Sequence, residues 1–248
     1  MKKNLNKDVV VGIHAVRILL KIRPYDVYEI YMVDKKLKKF LMICKEAEKN
    51  KIIIQNISNE KIYEISNVKS HQGVLAIAKK KKEIPEKDII NFLENQSKEK
   101  ILLIIDEISD PRNFGACLRI CDAYNISAVI IKDHDSVDIN ETVRKVAAGS
   151  AETVPVIKVK NISRLINTLK KNNYWIYGAT DRAHDDVNEI DFKTPIAIVI
   201  GGESEGLRKK TLENCDYTIK INMQGAVESL NMAVATGIII NTIYSKIK

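Results

Sequence analysis

From Ile101 onward the chain repeats one rhythm: an apolar run of five or six residues, then a longer segment whose apolar residues recur every third or fourth position. The first kind reads as a strand and the second as an amphipathic helix. Strand-like runs fall at 101–106, 127–131, 154–158, 174–179, 196–201 and 217–221, with helical spacing at 113–124, 140–149, 162–172 and 204–214. A last helical pattern runs from 228 to 247. Runs such as "IAIVIGG" are apolar at successive positions, as expected of parallel strands covered on both faces. The pattern predicts an α/β fold, in which ligands gather at the carboxyl ends of strands near a topological switch point.

Residues 10–78 alternate on a smaller scale. "GIHAVRILLKI", "KKLKKFLMICKEAEKN" and, more weakly, "NEKIYEI" have helical spacing, while "VYEIYMV", "KIIIQN" and "GVLAIAK" read as strands. The stretch "KKKKEIPEKD", Lys79 to Asp88, has no apolar periodicity and contains a proline, which marks a linker. A short helix at 89–97 extends it. The expected organisation is a small α/β module over 1–80, a linker over 81–98 and a larger α/β domain over 99–248. No internal repeat is visible.

Composition narrows the class. The 248 residues are 45% hydrophobic, enough for real cores. No apolar run approaches the roughly 20 residues that span a bilayer. The opening "MKKNLNKDVVVGIHAV" lacks the apolar core and cleavage site of a signal peptide. Cys44, Cys117, Cys121 and Cys215 form no C-x-x-C pair, so reduced thiols in a cytoplasmic protein are expected. The net charge of +8 is unevenly placed: residues 1–98 hold 21 Lys+Arg against 12 Asp+Glu, and residues 99–248 hold 19 against 20. Such asymmetry points to one half that holds a polyanion and one that does something else. The plain alternative is a lysine-rich solvated surface.

Three stretches could carry chemistry, each at a strand end or a helix start. In "DEISDPRNFGACLRICDAYN", Arg119 stands one turn above Gly115 and Ala116. Helical side chains lean toward the N-terminus, so Arg119 would reach back toward Asn113 and the strand's carboxyl end. Small residues under a cation suggest a reserved space. The plain alternative is that Asn113 caps the helix and Arg119 pairs with Asp122. In "IVIGGESEGLRKK", Gly201 and Gly202 end a strand and Gly206 opens the next helix. Glycines there let backbone approach a ligand, while Glu203 and Glu205 repel phosphate and suit a cationic or hydroxyl-bearing ligand. In "IKINMQGAVESLNMAVATGIIINTIY", Ser229 reads as an ordinary cap, whereas Asn231 sits just inside an apolar face and needs a partner. His14, His71, His134 and His184 are scattered without ligand spacing, and Trp175 reads as a packing residue. No G-x-S-x-G elbow or P-loop occurs.

Together "DPRNFGACLRICDA", "VIGGESEGL" and "INMQGAVESLNMAVATGI" closely resemble the three motifs of the SpoU (TrmH-like) branch of the SPOUT RNA 2′-O-methyltransferases. "GIHAVRILL", "SHQGVLA" and "KVAAGSAETVPVIKV" further resemble the members that methylate a guanosine ribose in 23S ribosomal RNA. The resemblance covers nearly the whole chain. It implies a parallel-sheet SPOUT domain with a trefoil knot, an N-terminal RNA-binding domain resembling ribosomal protein L30e, a homodimer, and S-adenosyl-L-methionine as methyl donor. It places the cofactor pocket on Gly201, Ile221, Leu230, Ala179 and Thr180, and the polar catalytic set on Asn113, Arg119, Glu203, Ser229 and Asn231. The chemistry asks for no metal. A SpoU enzyme acting on transfer RNA or another ribosomal RNA site is the alternative. A non-catalytic RNA assembly factor is a third reading, against which intact Arg119, Glu203 and Asn231 argue.

Overall fold

The computed structural model of the chain describes residues 7–96, 100–134, 136–202, 205–227 and 229–247. It divides into two compact units: one gathers residues up to Lys82 together with 139–153, and the other holds 83–138 and 154 onward.

The first unit begins β1 (Lys7–Val11), α1 (Ile13–Ile22), β2 (Val27–Met32), α2 (Leu41–Lys49), β3 (Ile53–Asn56), α3 (Asn59–Ser66) and β4 (Val74–Lys79). Its sheet runs β1-β4-β2-β3, with β4 antiparallel to both neighbours and β2 parallel to β3. Alternate residues of β4 leave on opposite faces. Val74, Ala76 and Ala78 pack with Leu19 of α1 and Ile43 of α2, while Leu75 and Ile77 pack with Ile62 and Ile65 of α3. Strand β1 is absent from the sequence expectation because "DVVV" runs directly into helical spacing. The break is conformational: Gly12, at φ 98, turns the chain from strand to helix.

The second unit continues with α4 (Ile89–Glu94), β5 (Ile101–Ile105), α5 (Pro111–Ala123) and β6 (Ala128–Lys132). The next two helices, α6 (Glu141–Ala147) and α7 (Ser150–Thr153), belong to the first unit. The second resumes with β7 (Val156–Val159), α8 (Ile162–Lys171), β8 (Trp175–Ala179), β9 (Asp185–Asp186), β10 (Ile196–Ile200), α9 (Lys209–Leu212), β11 (Tyr217–Lys220) and α10 (Met232–Ile247).

Among the described residues its sheet has seven strands, all parallel, in the order β7-β6-β5-β10-β8-β11-β9. Every residue of β5 and β10 is buried, which is why those runs show no alternation. Leu102, Ile104, Ile130 and Val199 pack with Leu165, Ile166 and Leu169 of α8. Leu103, Ile105 and Val129 leave on the opposite face and are equally buried; α5 runs against β6, and α10 packs along α5. From β5 the chain moves outward through β6 and β7, restarts at β8, and later fills the gap between β5 and β8 with β10. That gap is the switch point.

The helix expected over 204–214 shrinks to α9. Gly206, at φ 67, turns the backbone into a loop instead of opening a helix. Among the described residues, no helix is long and apolar enough to cross a membrane, and no cluster of His, Cys, Asp or Glu could hold a metal ion. Among the described residues, none of the four cysteines is in a disulfide.

Candidate active site

The strand registers align four chain exits. Ile105 of β5 pairs with Ile200 of β10, Ile200 with Ala179 of β8, and Ala179 with Ile219 of β11. Asp106, Gly201, Thr180 and, one step further, Ile221 therefore leave the sheet along one carboxyl edge. Parallel strands place ligands at that edge beside a switch point. The edge collects three of the predicted pocket residues, Gly201, Thr180 and Ile221, and a fourth, Ala179, is the last residue of β8.

 

Ala179 itself is half-buried, and the Thr180 N–H donates to the Ile219 carbonyl at 3.0 Å, which ties this exit to β11.

The glycine turn is closed on itself. A Cβ at Gly201 would lie 2.0 Å from the Gly206 carbonyl carbon and 2.2 Å from the Leu207 nitrogen. Gly202 and Gly206 exchange two backbone hydrogen bonds, each 3.1 Å. The base of the loop is fixed to the end of β5: buried Asp106 accepts the Arg208 N–H at 3.1 Å, and Glu107 pairs with the Arg208 guanidinium at 3.0 Å. Asp106 was not singled out from the sequence, although a carboxylate directly after an apolar strand is a readable signal. Glu205 is exposed. Glu203, expected in the polar set, lies outside the described residues.

The two predicted asparagines meet. Asp110, not Asn113, caps α5: its carboxylate accepts the Arg112 N–H at 2.7 Å, with Pro111 in the first helical position. Asn113 is thereby freed from capping and buried in the first turn. Its Oδ1 accepts from Nδ2 of Asn231 at 2.9 Å. The other end of the Asn231 amide caps α10, accepting the N–H groups of Ala233 and Val234 at 3.0 and 3.4 Å. Ser229 is exposed, two residues before this cap, and does not serve as one. One side-chain amide thus joins the starts of α5 and α10. The seam continues through Cys117 and Thr236 at 3.6 Å, and Tyr124 donates to Asn241 at 2.9 Å. Asn231→Ala should cost about 1–2 kcal/mol, the usual loss for a helix cap, read as a lower urea midpoint with an unchanged slope.

Arg119 is exposed, and its side chain makes no hydrogen bond or ion pair with a described residue. Gly115 beneath it is buried and Ala116 half-buried. The cation is therefore presented to solvent rather than enclosed. Ile221 and Leu230 are both half-buried. Among the described residues, 222–227, 229 and 230 form no hydrogen bonds, so the segment flanked in sequence by these two apolar residues offers backbone donors and acceptors. That combination suits a flat heteroaromatic ring, which needs apolar cover and a few placed polar groups. Glu205 adds an exposed carboxylate to the same edge, while the charge of Glu107 is balanced by Arg208.

This architecture is that of α/β enzymes in which ligands sit across the carboxyl ends of a parallel sheet. Residues 100–241 match the SpoU rRNA Methylase family, and residues 9–84 match the family described as RNA 2′-O ribose methyltransferase substrate binding. The chain belongs to the SpoU rRNA methylase family. It is 37% identical over 232 residues to the 23S rRNA (guanosine-2′-O-)-methyltransferase RlmB of Escherichia coli (strain K12), covering 93% of this chain and 95% of that one. To the protein of the same name from Ralstonia nicotianae it is 40% identical over 234 residues, covering 93% and 92%. Among solved structures, the AdoMet-bound rRNA methyltransferase from Sinorhizobium meliloti matches with a TM-score of 0.80 at 18% identity, over 100% of this chain and 90% of that one. At that identity the likeness concerns the fold.

Proposed function

We propose that the protein transfers a methyl group from S-adenosylmethionine to the ribose 2′-hydroxyl of a guanosine in 23S ribosomal RNA. The observation that carries this reading is the Asn231–Asn113 hydrogen bond, which joins the first and third family motifs at their helix starts. S-adenosylmethionine supplies an activated methyl on a sulfonium. Gly201, Ala179, Thr180, Ile221 and Leu230 are its pocket in this reading, with Ile221 and Leu230 covering the adenine and free backbone groups meeting its polar edge. Arg119 stabilises charge developing on the ribose oxygen. A guanidinium is not deprotonated under ordinary conditions, so Arg119 fits poorly as a general base by itself. Glu203, water or an RNA phosphate takes the proton, and Ser229 completes the polar set.

The basic N-terminal part holds the RNA, as an L30e-like substrate domain over 1–80 joined through 81–98 to the catalytic domain over 99–248. Its surface offers both features that RNA engages. Lysines are plentiful, and Tyr25 is 95% exposed, while Tyr28 is half exposed with the Lys7 ammonium 5.3 Å from its ring centroid. The exposed Val234 and Ile238, one turn apart on α10, and the exposed Val227 before it support a homodimer. The return of α10 to α5, after β10 has filled the gap beside β5, supports a trefoil knot. The free thiols accord with the cytoplasm.

The deciding experiment maps 2′-O-methylated riboses in RNA from a deletion strain. One guanosine of 23S RNA should lose its methyl group and regain it with the intact gene. Loss in transfer RNA or elsewhere in ribosomal RNA would select the alternative substrate. Binding of a 23S fragment should also weaken steeply with salt, by about 10³-fold or more between 50 and 200 mM if six or more phosphates are contacted. A flat salt response would mean that the lysines are only a solvated face.

A further inference from the structure

Helices α6 and α7 lie, in sequence, between β6 and β7 of the parallel sheet, yet they are part of the first unit. A buried set of charges holds them there. Arg23, just past α1, donates from Nε and Nη2 to Glu152 Oε2 at 2.9 and 2.7 Å, and from Nη2 to Asp8 Oδ2 at 3.0 Å. Arg144 of α6 grips the same two carboxylates, reaching Asp8 Oδ1 at 2.8 Å and Glu152 Oε1 as well. Lys81 gives its backbone N–H to Asp8 Oδ2 at 3.1 Å and its ammonium to the carbonyls of Ala151 and Glu152 at 3.0 and 2.9 Å. The Glu152 side chain is 1% exposed, and those of Asp8, Arg23 and Arg144 are 10–11% exposed. Burial pushes the Lys81 amine down to about 8 despite the attraction of Glu152.

Packing follows the charges. A Cβ at Gly149, φ 107, would lie 2.4 Å from Ile18 Cδ1 of α1, so the turn between α6 and α7 sits flush on that helix. Exposed ion pairs contribute little. Here two carboxylates are each shared by two guanidiniums out of water, and removing one partner strands a buried charge. The chain also passes between the units three times, at 82/83, 138/139 and 153/154.

We infer that Arg144 and Glu152 are positioning residues: they fasten the connection between β6 and β7 into the RNA-holding unit, so that RNA captured by that unit is coupled to the sheet whose edge carries methyl transfer. The coupling to catalysis rests on the methyltransferase reading above; the fastening does not.

The test uses full-length Glu152→Gln and Arg144→Lys. Amide exchange is followed by peptide mass spectrometry, alongside turnover at saturating 23S fragment and the affinities for RNA and S-adenosylmethionine. Glu152→Gln should raise exchange in 141–153 and in 13–22 together, while 101–105 and 196–200 stay protected. Turnover should fall tenfold or more, with both affinities within threefold of wild type. Arg144→Lys, which keeps the charge, should hold most of the protection and an intermediate turnover. Unchanged turnover with protection lost would overturn the positioning role. Exchange rising in 141–153 alone would overturn the fastening. Cofactor affinity falling with turnover would place Glu152 in the catalytic edge instead. If Glu152→Gln does not fold, Arg144→Lys decides by the same comparisons. If the wild type methylates no 23S fragment, the functional reading fails, and the joint exchange still decides the fastening.

Discussion

Replacing Arg119 with alanine should lower methyl transfer by about 10²–10³-fold at saturating substrates, the usual cost of deleting one group that stabilises transition-state charge. The structure makes this a clean experiment. Arg119 is exposed on α5 and its side chain bonds to no described residue, so its removal strands no partner and opens no cavity. Alanine favours a helix at least as well as arginine. Stability should therefore stay within about 0.5 kcal/mol, as for most surface substitutions. Cofactor affinity should also be unchanged, because Arg119 is not one of the proposed pocket residues. Arg119→Lys keeps a positive charge but loses the planar fork, and should recover only part of the rate. Single-turnover methylation with labelled S-adenosylmethionine reads the effect directly. Near-normal turnover by a folded Arg119→Ala would remove the guanidinium from the mechanism.

Sequence patterning revealed what periodicity encodes. The central strands were legible because β5 and β10 are buried at every position, which leaves an unbroken apolar run. The glycine turn was legible as a place for close backbone approach, although Gly206 was read as a helix start. Local spacing cannot distinguish a left-handed glycine that closes a loop from one that precedes a helix. Asn231 stands out as a polar amide just inside an apolar face, and Asn113 as the residue toward which Arg119 leans. Their mutual hydrogen bond spans 118 positions and lies beyond any local pattern. Capping is equally beyond local pattern: Asp110 and Asn113 both suit a cap, as do Ser229 and Asn231, and the fold uses Asp110 and Asn231.

The buried charges were the largest gap. Asp8, Arg23, Lys81, Arg144 and Glu152 come from distant segments, and each alone looks like an ordinary surface residue. Helical spacing over 140–149 correctly gave α6, yet nothing local could assign that helix to the first unit rather than to the sheet that flanks it in sequence. The available hint was Glu152 itself, a carboxylate set in the small and apolar run "AAGSAETVPV". Burying an ionised group is costly unless it is paired, so a charge in such a run asks for a distant cation.

Gly201→Val should abolish most S-adenosylmethionine binding in a chain that still folds. The three atoms nearest a Cβ at this position are the Gly206 carbonyl carbon at 2.0 Å, the Leu207 nitrogen at 2.2 Å and the Gly206 oxygen at 2.3 Å. All are backbone, so no rotamer change can make room. The loop must open, and opening it breaks the paired hydrogen bonds between Gly202 and Gly206. It also pulls on Leu207, which packs against the core of the sheet, and on the Asp106–Arg208 contact at its base. Forcing volume into a packed site costs about 1–3 kcal/mol. If the bound state needs the closed loop, that strain appears as roughly 10–100-fold weaker binding. Gly201→Ala already places the offending atom and should show the same effect, with less bulk to unsettle the surrounding strands. RNA affinity should stay within about threefold, a difference below 1 kcal/mol, because the lysine-rich first unit does not contain this loop. Calorimetric titration of S-adenosylmethionine, with salt-dependent RNA binding measured on the same protein, separates the two. Wild-type cofactor affinity in a folded Gly201→Ala protein would mean that the closed loop stands outside the pocket, and that the ligand instead sits wholly on the 221–230 segment.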